Sequence, residues 1–314
     1  PSLEKYENEV VSGGKIFVDS TMIDKKVDRT DVDVYYIPAT KMANDNGTPT
    51  LANMIITGKI LREVPQFSID FTDDALKKVV SARHLISLML TRVLSRQAMT
   101  MNNKMRVSCI QLDMKLGDVE YNYAEALRLI RETVKEEKSD VVVLPETWTT
   151  GFYPKENLAS YCDRDGERAK KTFADLAKEL KVNIVAGSIA NEKNSEIYNT
   201  AFVFNREGEV VAEYDKTHLF TPMDEHKFFS FGKNLVTFEL DGHKCGIVIC
   251  YDIRFCELVR SLALRGIDML FMVSQWPLVR TSHIVTLTKA RAIENQMFVV
   301  CCNSCGKTPD AVFG

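Results

Sequence analysis

The sequence predicts an α/β protein in two parts: an α/β sandwich over residues 104–314, preceded by a partial α/β module and linker in residues 1–100. Three observations predict it. From Arg106 onward, short runs of β-branched apolar residues alternate with segments whose apolar residues recur at helical spacing. Several of those runs break off at a polar or reactive residue, at the C-terminal strand edge where α/β folds carry their chemistry. Between the parts, the stretch from Ser95 to Met105 is polar, lacks apolar periodicity and holds three methionines, as a linker or a junction of two reading units would.

The 314 residues are 45% apolar and 26% charged with a formal net charge of −3, ordinary for a soluble globular protein with room for about two domains. That charge makes no case for nucleic acid or an anionic membrane as partner. No apolar run approaches the ~18 residues of a transmembrane helix, and Pro1-Ser2-Leu3-Glu4-Lys5-Tyr6 lacks the blocks of a signal peptide. The eight cysteines sit in or beside strand-like runs rather than in a spaced disulfide framework, which fits a reducing cytoplasm. Cys302-Asn303-Ser304-Cys305 is formally a C-x-x-C. With no second pair at zinc-ribbon spacing and no thioredoxin-like surroundings, no metal centre is expected there or elsewhere.

In the first part, Gly13-Gly14 precedes a short buried strand, Lys15–Asp19, and a second strand, Val32–Ile37, is closed by Pro38. Thr48-Pro49 reads as an N-cap with proline at the first helical position, opening a helix with Leu51, Met54, Ile55 and Ile60 inward. Thr72-Asp73-Asp74 is a further helix start, and Arg83–Leu90 a further amphipathic helix. Gly13–Ser20, Tyr36-Ile37-Pro38-Ala39-Thr40 and Leu51-Ala52-Asn53-Met54 resemble the C-terminal half of the gamma subunit of 2-oxoacid:ferredoxin oxidoreductases, over about residues 1–80. That family's opening strand and glycine-rich turn do not precede Pro1, so the resemblance implies an incomplete module; the competing reading is a genuine accessory domain.

The second part opens with strand Arg106–Leu112, then a helix around 122–134 whose inward face is Ala126, Leu127, Ile130 and Val134. Strand Asp140–Leu144 ends in Pro145-Glu146-Thr147-Trp148, which puts a carboxylate directly beyond a buried strand; standing alone, Glu146 reads as a solvated loop residue or a cap. Helix 164–180 and strand Asn183–Ser188 follow, then a hairpin of Tyr198–Phe204 and Val210–Tyr214. Lys216 comes immediately after, between an apolar strand and the apolar Leu219-Phe220, where burial beside carboxylates changes what a lysine can do. Strand 245–249 ends at Cys250. Strand Asp268–Val273 exits into Ser274-Gln275-Trp276-Pro277, helix 282–295 carries His283, Arg291 and Glu294, and strand Met297–Asn303 comes last.

Cys250 is where the chemistry points. A thiol delivered by a buried strand to a polar turn is exposed on one side and has the next backbone N–H groups at hand for an oxyanion. The alternative is one more buried core cysteine. The wider pattern separates the two readings. Leu144–Gly151, Tyr214–Phe220, Cys250-Tyr251-Asp252-Ile253-Arg254-Phe255 and Ala290–Gln296 together, in this order, resemble the carbon–nitrogen hydrolase (nitrilase) superfamily from about Met105 to Gly314.

That resemblance implies a four-layer α-β-β-α sandwich and a Glu–Lys–Cys catalytic set with no cofactor. Cys250 would be the nucleophile that forms a thioester, Glu146 the acid–base, and Lys216 the oxyanion stabiliser, since it cannot easily be the base if it stays charged. Glu225 matches a second glutamate that positions substrate and lysine. Tyr251 rather than tryptophan after the cysteine points to the amidase branches. Met223–His226, Trp276-Pro277-Leu278 and Arg291–Gln296 are most similar to omega-amidases, which hydrolyse 2-oxo acid ω-amides. Tyr251, Arg254, Trp276 and Arg280 are the candidate substrate contacts, with Arg254 or Arg280 either gripping an α-carboxylate or serving structure. Cys256 stands where the family has proline.

The partner expected is thus a small amide, and the assembly a homodimer if the fold is complete. The superfamily chain runs several strands beyond the position of Gly314, so the resemblance also implies a shortened domain with uncovered strand edges. The alternative functions are a non-catalytic subunit or fragment of a 2-oxoacid oxidoreductase, and an inactive fused or truncated chain.

Overall fold

The computed structural model describes residues 2–45, 52–64, 105–152, 154–308 and 311–314. The chain divides into two compact units, Pro1–Lys104 and Met105–Gly314. In the first, a short helix α1 (Ser2–Tyr6) precedes β1 (Lys15–Asp19) and β2 (Asp33–Ile37), which pair in parallel with Lys15 opposite Asp33. Helices α2 (Ala39–Asp45) and α3 (Ala52–Glu63) follow. β1 alternates half-buried with buried residues, so it is a one-faced strand rather than the wholly buried one expected. Asp19 fastens its end by accepting from the backbone N–H and hydroxyl of Thr40. Ile37, Ala39, Ala43 and Ile55 form one small core, and Leu3, Ile16 and Val18 another. Of the inward face expected for α3, Ile55 is buried and Ile60 half-buried. The start at Thr48-Pro49, Leu51, the Met54 side chain, the helices at Thr72 and 83–90, and the linker up to Lys104 lie outside the described residues.

The second unit begins with β3 (Val107–Cys109), α4 (Val119–Glu137) and β4 (Val141–Val143). Asp118 caps α4 by accepting from the Tyr121 N–H, and Lys138 ends it in the left-handed conformation. β5 (Asp163–Arg164) and α5 (Glu167–Leu180) come next. The helix expected over 164–180 therefore starts three residues later, because Asp163 and Arg164 pair with the following strand and Gly166 turns the chain at φ 66°. That strand is β6 (Asn183–Lys193), longer than expected, and it turns at Asn194-Ser195 into β7 (Glu196–Phe204) and then β8 (Val210–Asp215). β3, β4, β6, β7 and β8 form one sheet in that order, with β5 beside β6.

The second sheet has the order β12-β11-β10-β9, built from β9 (Thr237–Leu240), β10 (His243–Ile249), β11 (Met269–Ser274) and β12 (Phe298–Asn303). β9 had no counterpart in the sequence reading. Helix α6 (Cys256–Leu264) joins β10 to β11, and α7 (Thr281–Asn295) joins β11 to β12. A small ladder of β13 (Gly306–Lys307) and β14 (Val312–Phe313) ends the described chain.

Period-two alternation decides the layering. Val142, Leu144, Ile184, Ala186, Phe202 and Phe204 point to one side, where they meet α4 and α5 through Ala126, Ile130, Phe173 and Leu176. Their neighbours Val141, Val143, Val185, Ala201 and Val203 point the other way and pack on Ile247, Ile249, Phe271 and Val273 of the second sheet. Val248, Leu270 and Met272 face outward onto Leu258, Val259 and Leu262 of α6 and Ile284 of α7. Four layers result, α-β-β-α, with three apolar interfaces.

Candidate active site

Three strand exits converge. Glu146 follows β4, Lys216 follows β8 and Cys250 follows β10, and all three line one cleft of about 580 Å³, open mouth included. Glu225, Tyr251, Arg254, Trp276 and Arg280 line it too, so the structure brings together every site residue singled out in the sequence. Phe152, Phe220, Met223 and Phe313 complete an apolar wall.

The turn carrying Glu146 is held by both sheets. Its Thr147 sits at φ 42°, unusual for a β-branched residue. The Thr147 N–H donates to Ser188 Oγ at 3.0 Å, its hydroxyl to Gln275 Oε1 at 3.0 Å, and the Trp148 indole to the Ala186 carbonyl at 2.7 Å. β6 makes room by kinking: Gly187 has φ 63°, and a Cβ there would stand 2.0 Å from the Pro145 carbonyl oxygen.

Lys216 is 2% exposed, and its ammonium donates to Glu146 Oε1 at 2.7 Å and to Glu225 Oε1 and Oε2 at 3.0 and 2.9 Å. Glu225 is itself fixed by the Phe220 N–H. Burial alone would strip Lys216 of its proton, but the charges of Glu146 and Glu225 outweigh it and hold the ammonium well above its ordinary range. The lysine is thus held as a cation between two carboxylates. Glu146 accepts a further bond from the Gln275 backbone N–H at 3.0 Å on Oε2. Its pKa is raised, chiefly by burial, with Lys216 opposing and Glu225 reinforcing.

Cys250 opens a 3₁₀ turn, Cys250–Arg254, at φ 46°. A non-glycine residue in this region is strained, and the strain is held from three directions. Asp252, fully buried, accepts from the Ile249 N–H (3.0 Å) and Tyr214 hydroxyl (2.8 Å) through Oδ2, and from the His218 N–H (2.8 Å) through Oδ1. His218 Nδ1 lies 2.9 Å from the same Oδ1, and its ring stacks on Phe255 at 3.6 Å. From the helical layer, the buried Arg291 donates to the Ile253 and Arg254 carbonyls at 3.1 and 3.2 Å. Burial and then the Glu146 charge push the pKa of the thiol well up, with Lys216 opposing. Attack by such a thiol needs a base beside it.

At the mouth, Arg254 lies over the Trp276 ring at 4.9 Å, with Nη2 3.3 Å from His283 Nδ1, and Arg280 lies over Phe220 at 5.3 Å. Among the described residues neither makes an ion pair, and both line the cleft. Trp276 is set by Asn303, which accepts from its N–H at 2.7 Å and donates to its carbonyl at 3.0 Å.

Sequence reasoning missed Asn199, Asp252, Gln275 and Asn303. The available signal was polarity inside an apolar strand: Asn199 and Thr200 are fully buried in β7. Among the described residues no group of three or more His, Cys, Asp or Glu side chains is arranged to hold a metal ion. No described helix is long and apolar enough to cross a membrane.

Residues 106–313 match the family profile described as carbon–nitrogen hydrolase. The 2-oxoglutaramate amidase of Bacillus subtilis is 45% identical over 210 residues, 67% of this chain and 80% of that protein. Omega-amidase NIT2 of Mus musculus is 31% identical over 202 residues, 62% and 72% of the two chains. Among solved structures, a CN-hydrolase superfamily protein from Xanthomonas campestris, which carries an arsenic adduct in its active site, superposes with a TM-score of 0.62. It is 27% identical, with 68% of this chain and 80% of that one covered.

Proposed function

The chain belongs to the carbon–nitrogen hydrolase family, and from that membership we propose that it hydrolyses the ω-amide of a small 2-oxo acid, with Cys250, Glu146 and Lys216 as the reacting groups. The observation that carries the reading is the buried ammonium of Lys216, within 3.0 Å of both Glu146 and Glu225, in the cleft that the Cys250 elbow enters.

The chemistry follows from the electrostatics. Glu146 takes the thiol proton as sulfur bonds to the amide carbon, and the carbonyl oxygen becomes an oxyanion facing Lys216 and a backbone N–H after Cys250. Collapse expels the nitrogen, which leaves as ammonia with the proton held on Glu146, and a thioester remains. Glu146 then takes a proton from water, whose oxygen attacks the thioester. The acid leaves, and the proton returns to the Cys250 sulfur. Lys216 keeps its proton throughout, and Glu225 holds it in place.

The substrate class rests on the mouth. Two arginines without an ion pair among the described residues, each over an aromatic ring, suit a bidentate carboxylate at the far end of a short chain, and the apolar wall suits its methylenes. The relatives named for 2-oxoglutaramate and ω-amides support the same class.

The test is ammonia release from 2-oxoglutaramate, succinamate, glutamine, butyramide and a nitrile, with Cys250→Ala as control. Cysteine-dependent release is expected, with 2-oxoglutaramate preferred. Arg254→Ala or Arg280→Ala should raise KM for that substrate about 10- to 100-fold, the worth of a charge-assisted bond, and leave butyramide unchanged. Equal loss on both substrates would remove the arginines from recognition. A folded chain that releases no ammonia from any amide would refute the assignment.

A further inference from the structure

Asn199 makes contacts that the reaction steps leave unexplained. It lies fully buried in β7, opposite Ala190 of β6. Its one Nδ2 donates to Glu146 Oε1 at 2.9 Å and to Glu225 Oε1 at 3.2 Å, while its Oδ1 has no hydrogen-bond partner among the described residues. Turning the amide over would aim Oδ1 at two carboxylates, so the orientation is fixed by charge. An apolar residue of similar size would spare the fold a buried orphan acceptor, yet the asparagine is seated where it can reach both acids at once.

The two oxygens of Glu146 are consequently unequal. Oε1 takes Lys216 at 2.7 Å and Asn199 at 2.9 Å, whereas Oε2 takes the Gln275 N–H at 3.0 Å; the Cys250 thiol also hydrogen-bonds this carboxylate. An oxygen with two nitrogen donors has little capacity left for a third proton; Oε2, with one backbone donor, has room for the thiol's.

We propose that Asn199 is a positioning residue that, by occupying Oε1, reserves Oε2 of Glu146 as the base that faces the Cys250 thiol. It rests on Glu146 being the base. The titratable groups acting on Glu146 are Lys216 from the loop after β8, Glu225 from its 3₁₀ turn and Cys250 from the elbow. Asn199 is the neutral member, and its donated bond favours the ionised carboxylate against burial.

The test reads Cys250 directly, without any substrate. The full chain is alkylated with iodoacetamide across pH 4–9, and modification of the Cys250 peptide is followed by mass. In the wild type the rate should fall on the acidic side as Glu146 takes its proton; Glu146→Gln should abolish that limb. Asn199→Ala should move the limb up by about one pH unit, with the plateau rate within a few-fold. Asn199→Ser, whose hydroxyl can serve one acid only, should move it less in the same direction, and it decides alone if the alanine variant does not fold. The shift should persist in a Glu225→Gln background. A uniform loss of rate with an unmoved limb would reduce Asn199 to packing and overturn the inference, leaving Glu146 as base. A wild-type limb in Glu146→Gln would overturn both.

Discussion

Replacing Lys216 by methionine, similar in length and uncharged, should uncouple the site in a way that stability and pH report together. The ammonium sits 2.7 Å from Glu146 and 2.9 Å from Glu225, at 2% exposure. At an effective dielectric of about 20, each contact attracts by about 6 kcal/mol before desolvation is charged against it. Measured losses on breaking a buried pair are about 3–5 kcal/mol, because the partner charge is stranded; here two are stranded and repel each other. The variant should therefore lose about 3–5 kcal/mol at pH 8.

The pH dependence carries the sharper test. Without the lysine, the stranded carboxylates have folded pKa values raised above the unfolded value of about 4.3. Such groups support the fold fully below the unfolded pKa and withdraw that support as pH rises through the folded one. The handicap should thus shrink on going from pH 8 to pH 5, by up to about 1.4 kcal/mol per pH unit for each proton taken up. Urea denaturation followed by tryptophan fluorescence suits the measurement, since both tryptophans, Trp148 and Trp276, lie in the second unit. Activity should fall by about 10²- to 10³-fold or more at every pH, the cost of an oxyanion donor. A loss below about 1 kcal/mol at pH 8, or one that does not change with pH, would refute the claim that this lysine neutralises two buried acids.

Other consequences are open to measurement. Glu225→Gln removes a charge that raises the pKa of Glu146, so the acidic limb of kcat/KM should move to lower pH by up to about one unit, with kcat reduced as Lys216 loses a partner. An unmoved limb would separate the two glutamates. Asp252→Asn leaves one side of a four-contact hub unable to accept; a loss of about 1–3 kcal/mol and a fall in kcat with KM little changed are expected, and an unaffected kcat would show that the elbow holds itself. Gly187→Ala must displace the Pro145 carbonyl 2.0 Å away and strain a residue at φ 63°, so it should destabilise by at least about 1–3 kcal/mol and slow turnover through Glu146. A variant as stable and active as wild type would mean that β6 does not shape the turn.

Local pattern was enough for much of this protein. A strand is short, its side chains alternate, and its end shows in the residues that stop the apolar run, so Glu146, Lys216 and Cys250 could be placed at strand exits from the chain alone. Helix α4 was legible because Ala126 and Ile130 repeat at its period. β9 was not: its four residues, Thr237–Leu240, hold too few alternations to stand out, and their antiparallel partner in β10 is what makes them a strand.

The division of labour among the site residues belonged to the tertiary structure. The bonds that decide it span long stretches of chain: Lys216 to Glu146 across 70 residues, Asn199 to Glu146 across 53, Gln275 to Glu146 across 129. Each residue's own neighbourhood leaves its partners unspecified. Nothing beside Lys216 in sequence says that it will lie between two buried acids, and nothing beside Asn199 says that its amide will bridge the same pair. Those facts exist only once two sheets have stacked and excluded water, because a charge or an amide acquires its pKa, its orientation and its chemistry from what surrounds it in space.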